Sequence, residues 1–309
     1  MDELVARLRA AGCVFAEDEA RILAEAAGDD AARLERLVSA RVDGLPLEHL
    51  VGWVELDGLR WLVAPGVFVP RRRSELLVRE AAERAAAVAT RAAARATGAT
   101  GTLTAATAVG PVLLVDLCCG CGALGGAVAN RLRVAGHDVE VHAADVDPAA
   151  VACAHENLEA LSDADADAAP GLGRLTAHTY AGDLADPLPA EVWGRVDVLV
   201  ANAPYVPTAA ISLMPPEARE HEPHAALDGG GDGLMILRRV IDLAPRLLRP
   251  GGHLLVETGD GQVSAAVGHL TAAGLITTVL TDDELGATAL AGTLPEQSRG
   301  TGAADEPAG

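Results

Sequence analysis

Between Val112 and Leu280, short apolar runs take turns with helical stretches. The strand-like runs fall at 112–117, 139–144, 174–180, 196–201, 253–257 and 275–280, and the helical ones at 123–135, 148–161, 233–249 and 261–273. A strand covered on both faces reads as a continuous apolar run, and a parallel neighbour requires a crossover helix. The alternation therefore predicts an α/β fold, a parallel sheet with helices on both sides. Half of the 309 residues are hydrophobic but only 2% are aromatic, so the core must be built from Ala, Val and Leu.

Upstream the texture differs. Leu4, Val5 and Leu8, then Ile22, Leu23 and Ala26, then Leu34, Leu37 and Val38 recur at helical spacing, which predicts a small helical domain over 1–50. Two alternating runs flank Asp57-Gly58, a hairpin signal. Residues 75–97 are Ala- and Arg-rich and helical, and 97–111 read as a flexible connector, so 51–110 form a linking region. The sheet region is expected over 111–292, with an inserted surface loop at 162–173 and a disordered tail over 293–309.

The formal net charge is −20. Duplex and membrane-surface binders need a basic face, so neither partner is expected. No apolar run reaches the ~18 residues of a membrane span, and the acidic, amphipathic start does not read as a signal peptide. Five cysteines, mostly clustered, do not form a disulfide framework. A cytoplasmic protein is the expectation. Cys118 and Cys121 have C-x-x-C spacing, with Cys153 and His155 downstream, but a structural zinc site needs four paired ligands, and no metal is expected.

Four strand ends carry polar chemistry. In 112–129 a strand runs through Asp116 into a turn, Cys118-Cys119-Gly120-Cys121-Gly122, that opens a helix. Its glycines allow close approach of a ligand, although the dinucleotide fingerprint is not met. Asp145 ends the next strand, where an acid can accept both ribose hydroxyls of a nucleoside. Asp147 is the better cap for the following helix, which leaves Asp145 free. Asp183, followed by Leu184, ends a third segment, either as acceptor for an adenine amine or as a turn residue. Last, the run Val196–Ala201 breaks into Asn202-Ala203-Pro204-Tyr205. The Asn202 carbonyl can accept from an NH2 group, the carbonyl of Ala203 is the natural second acceptor because Pro204 biases that residue to an extended form, and Tyr205 can cover a planar group.

Together these pieces resemble the release-factor glutamine methyltransferase family, whose hallmark Asn-Pro-Pro-Tyr is matched by Asn202-Ala203-Pro204-Tyr205. Residues 68–78, 222–234 and 247–262 also look like family segments, so the resemblance spans about 45 to 280. It implies a Rossmann-like class I methyltransferase sheet with a helical substrate-binding domain and a linking β-hairpin. It implies S-adenosyl-L-methionine as cofactor, a protein substrate (the Gly-Gly-Gln loop of peptide chain release factors) and methylation of a glutamine side-chain nitrogen. The cofactor role carries over to Asp116, the turn 118–122, Asp145, Asp183, Leu184 and Asn202, and the substrate amide to Asn202, Ala203, Pro204 and Tyr205. The chain departs from the pattern at Cys118, which replaces the first glycine and is expected to avoid positive φ. Ala203 stands for proline, Leu184 for a common aromatic, and Arg72-Arg73 for Pro-Glu. Two rival readings are an adenine-amino nucleic-acid methyltransferase, which would need a basic groove, and a degenerate cofactor-binding module without catalysis.

Overall fold

The computed structural model describes residues 1–98, 110–163 and 171–296. The expected connector, inserted loop and tail fall largely outside these residues. Three amphipathic helices, α1 (Asp2–Ala10), α2 (Ala16–Ala27) and α3 (Ala31–Val42), are followed by the short α4 (Leu47–Val51). They close over their own core of Leu8, Ala16, Ala20, Leu23, Val38 and Leu47. The hairpin β1 (Trp53–Leu56) and β2 (Leu59–Leu62) pairs Leu56 with Leu59. Asp57 and Gly58 both take positive φ, +55° and +73°, as a two-residue turn between twisted strands demands. The long α5 (Glu75–Gly98) leads to the sheet.

The sheet region runs β3 (Val112–Leu117), α6 (Ala123–Val134), β4 (Val139–Asp145), α7 (Pro148–Asp163), β5 (Leu175–Ala181) and β6 (Val196–Ala201). It continues through α8 (Pro216–His221), α9 (His224–Leu227), α10 (Met235–Leu247), β7 (Leu248–Glu257), α11 (Val263–Ala272), β8 (Ile276–Asp282) and β9 (Ala287–Thr293). The strand order is β5-β4-β3-β6-β7-β9-β8. Strands β3 to β7 are parallel, and β9 runs antiparallel between β7 and β8. β9 is absent from the sequence expectation, and Thr293, assigned there to a tail, is its last residue. Its sequence, ATALAGT, lacks the β-branched and aromatic density that marks a strand. Pairing on both edges makes it one.

Helices cover both faces. On one side α5, α6 and α7 bury Leu77, Leu132 and Leu158 together with Trp61 of the hairpin. On the other, α10 and α11 bury Leu237, Ile241 and Leu270. The strand order reverses at β3, and there the carboxyl ends of β3 and β6 open a crevice, the general ligand position of such sheets.

Candidate active site

A cavity of about 670 Å3 occupies this crevice, within the range of small-molecule sites. Cys118, Cys119, Gly120, Cys121, Asp145, Asp183, Leu184, Asn202 and Pro204 line it. Asp116, Gly122, Ala203 and Tyr205 do not. Phe68, Pro70, Ser74, Pro223, Ala226 and Arg239 also line it and were not singled out from the sequence. Phe68 to Ser74 and Pro223 to Ala226 lie inside the family-like segments. Arg239, on a helix face, gives no local signal.

The turn after β3 corrects one expectation. Cys118 does not avoid the left-handed region: its φ is +57°. Gly120 and Gly122 follow at +54° and +77°. The chain must reverse within five residues so that α6 packs back on the sheet, and a Cβ at Gly122 would already touch Ala154 at 3.0 Å. The backbone path is fixed by this packing, and Cys118 bears a strain of about 1–2 kcal/mol. Asn157 of α7 locks the turn to the hairpin, donating at 2.8 Å to the carbonyls of Cys121 and Leu62 and accepting from the Leu62 amide.

Asp145 is not left free either. Its Oδ2 accepts from the Gly120 amide at 2.9 Å and its Oδ1 from the Asp147 amide at 2.9 Å. Asp147 does cap α7, accepting from Ala149 at 2.9 Å. A carboxylate offers about four acceptor positions, so these amides leave Asp145 capacity for a ligand in the cavity it lines. Burial raises its pKa despite those amides. Asp116 is fully buried; its Oδ2 accepts from the Gly125 amide at 2.8 Å, while Oδ1 has no partner. Burial, with the charge of Asp145 adding to it, pushes the Asp116 carboxyl up to about 7. Burial also raises the thiols of Cys118, Cys119 and Cys121, the last to about 12, so at neutral pH they are uncharged wall groups and poor thiolate ligands. Leu184 is a second strained residue, with φ +50°, and Asp183 pairs with Arg239 at 2.7 Å.

The loop after β6 is braced from three sides. Among the described residues the Asn202 side chain has no hydrogen-bond partner, and it faces the cavity. Behind it, Val206 exchanges backbone bonds with Leu227 and Gly229. Gln262 donates one amide hydrogen to the Tyr205 carbonyl and the other to the Asp232 carbonyl, both at 2.9 Å. Gly229 and Gly233 sit where no Cβ fits: one on Gly233 would lie 2.3 Å from the Tyr205 carbonyl oxygen, and one on Gly229 2.7 Å from that of Pro204. The glycine-rich segment 229–233 is thus a rigid backing for residues 202–205.

Tyr205 does not lie over the cavity; its hydroxyl is bound to Arg73 and donates to Glu257 at 3.2 Å. Arg73 Nε donates to Glu257 at 2.6 Å, and Ser74 donates to the other oxygen of that buried carboxylate at 2.7 Å. Arg71 is bound to buried Glu222. Two of the three consecutive arginines, Arg71 and Arg73, are therefore paired with internal carboxylates.

No family model matches the sequence. The catalytic domain of hMettl16, solved with a MAT2A 3′UTR hairpin, superposes with a TM-score of 0.50 over 84% of this chain and 83% of that one, at 13% identity. That likeness shows the fold. Relatives matched over about four fifths of the chain are nearer in sequence. A release factor glutamine methyltransferase of Geobacter sulfurreducens is 33% identical over 246 residues, 80% of this chain and 72% of that one. One from Mycolicibacterium smegmatis is 34% identical over 254 residues, 82% and 76% of the two chains. A 4-amino-L-phenylalanine/4-methylamino-L-phenylalanine methyltransferase of Streptomyces pristinaespiralis is 32% identical over 248 residues, 80% and 73%. A sheet of class I methyltransferase order, an Asn-x-Pro-Tyr loop at the end of β6 and identities of this extent agree: the chain belongs to the release factor glutamine methyltransferase family.

Proposed function

We propose that the protein transfers a methyl group from S-adenosylmethionine to the side-chain nitrogen of a glutamine in the Gly-Gly-Gln loop of a peptide chain release factor. The observation that carries this is Asn202: a carboxamide without a partner, at a strand end, on a loop that its surroundings hold rigid.

The cavity residues fit the cofactor. The open space at Gly120, where a Cβ would meet nothing within 4 Å, would admit the donor's amino-acid portion. Asp145 would accept the two ribose hydroxyls, and Asp183 with Leu184 would border the adenine. Asp116, buried beneath the turn, holds the start of α6 through the Gly125 amide. When bound, S-adenosylmethionine supplies an electrophilic methyl on a sulfonium whose charge vanishes on transfer, so no strong base is needed first.

A glutamine nitrogen is a poor nucleophile because its lone pair is delocalised into the carbonyl. The Asn202 side-chain oxygen and the Ala203 carbonyl each accept one amide N–H, which aims the lone pair along the transfer axis and favours pyramidalisation. Positioning of this kind is worth up to ~7–11 kcal/mol. The amide proton leaves to water after the N–C bond has formed. Pro204 sets the geometry of residue 203, and Tyr205, fixed by Arg73 and Glu257, holds the loop. The helical domain α1–α3 is assigned to the protein substrate.

Incubation with labelled cofactor and purified release factors, followed by mass spectrometry of the tryptic peptide, tests the reading. One methyl on the Gln of the Gly-Gly-Gln loop supports it; label on duplex DNA and none on protein overturns it. One relative is named for an arylamine, also a conjugated NH2. Free 4-amino-L-phenylalanine belongs in the same assay, and methylation of it in place of the protein also overturns the reading.

A further inference from the structure

The parallel register of β4 and β5 sets His142 opposite His178. Glu140 lies two residues before His142 and Tyr180 two after His178, so all four occupy one face of the sheet at its β5 edge. Glu140, His142 and His178 can each offer one ligand atom, with all three atoms within 4.8 Å of one another. Glu140 Oε1 and His142 Nε2 are 3.0 Å apart. A tetrahedral ion with bonds of ~2.0–2.1 Å separates its ligands by about 3.3 Å, so this pair already has nearly the required spacing. His178 is exposed and free to swing the remaining distance.

We propose that Glu140, His142 and His178 form a binding site for a divalent transition metal, of which zinc suits the donor set best. Two imidazoles and a carboxylate are a zinc-type set with one position left for water. Tyr180 supplies the outer support such sites use: its hydroxyl is 2.9 Å from His142 Nδ1, placed to accept a hydrogen bond from that N–H while Nε2 turns its lone pair to the ion. Without metal the same Nε2 faces Glu140 Oε1 at 3.0 Å, so loading turns its lone pair to the ion and brings in His178. A recess of about 310 Å3 beside the cluster gives access, and Glu191 and Arg195 on its wall offset one another in charge. The site clamps the edge strand β5 to β4, the two strands that deliver Asp183 and Asp145 to the cavity. It is independent of the methyl-acceptor assignment.

The full-length protein, reduced and stripped with a chelator, is titrated with cobalt(II) and followed by visible absorption, then with zinc by calorimetry. The expected result is one ion per chain at micromolar metal, with d–d bands of a nitrogen and oxygen environment and no thiolate charge-transfer band. His178→Ala, an exposed change that spares the fold, is expected to weaken zinc binding at least tenfold, and Glu140→Gln likewise. Zinc is expected to raise the urea midpoint of the native protein and not that of His178→Ala. Absence of stoichiometric binding, undiminished affinity in His178→Ala, or a strong thiolate band from the cysteine-rich turn would each overturn the proposal.

Discussion

Asn202 carries an amide whose bonding capacity nothing else in the described chain consumes. Its replacement should therefore cost chemistry and not fold. Asn202→Ala is expected to lower kcat by roughly 100- to 1000-fold, the scale of losing one oriented polar group at a reacting centre, while cofactor affinity measured by calorimetry changes only a few-fold. Cys118 makes the opposite case. Its left-handed backbone is imposed by the turn, so Cys118→Gly should relieve ~1–2 kcal/mol of strain against ~0.4–1 kcal/mol of added unfolded-state entropy. A small net gain in the urea midpoint is expected; a clear loss would show that the thiol's packing outweighs the strain. Asp116 sets a pH dependence. Its folded pKa of about 7 lies above its ordinary value of 3.8, so the folded state holds the proton more tightly and loses stability as pH rises from about 4 to 7. Asp116→Asn, which mimics the protonated acid, should flatten that decline: its stability relative to the native protein should grow from pH 5 to pH 8 in parallel urea titrations. The sequence shows which of these positions are polar or glycine-like. It does not show that Asp145 is already held by two amides or that Asp116 is fully buried against Gly125, because both depend on how the following helices close over the strand ends.

Among elements, the loop after β6 owes its shape to parts distant in sequence. Gly233 and Gln262 meet the Tyr205 carbonyl from two separate segments, at a distance no side chain at 233 would tolerate. Gly233→Ala is expected to cut kcat at least tenfold while leaving most cofactor affinity, since the cofactor turn lies on other strands; equal kcat in the variant would remove the bracing role. The segment 222–234 was visible as a family-like stretch, yet its work was not, because a backing surface has no side-chain signature. Strand β9 was missed for a related reason. Its alanines and glycine carry no strand preference, and only the two partners β7 and β8 make the extended form favourable. The hairpin, by contrast, was legible because Asp-Gly fixes the turn locally.

At the level of the whole molecule, the helical region is fastened to the sheet region by a nearly buried ionic cluster. Arg41 of α3 donates to Glu19 of α2 at 2.6 Å and to Glu217 of α8 at 2.8 Å. Removing one partner of a well-buried pair costs ~3–5 kcal/mol, less where a partner stays half exposed, as Glu217 does. Arg41→Ala is expected to make residues 1–50 open to limited proteolysis before the sheet region unfolds, and to raise KM for the protein substrate more than it lowers kcat. A negative molecule whose Arg71 and Arg73 are paired with Glu222 and Glu257 should also give no shift of duplex DNA at moderate salt in gel assays.

The sequence by itself determined the alternation that makes a parallel sheet, the strand ends that bear Asp145, Asp183 and Asn202, and the hairpin turn. Each is written in periodicity or local backbone preference, which operate over a few residues. Only the tertiary structure decided that Cys118 adopts a left-handed conformation, that Tyr205 is tied to Arg73 and Glu257, that Arg239 reaches Asp183, and that two histidines on neighbouring strands stand side by side. Those outcomes follow from close packing between segments far apart in the chain, where the position of one element is set by the volume and bonding of another.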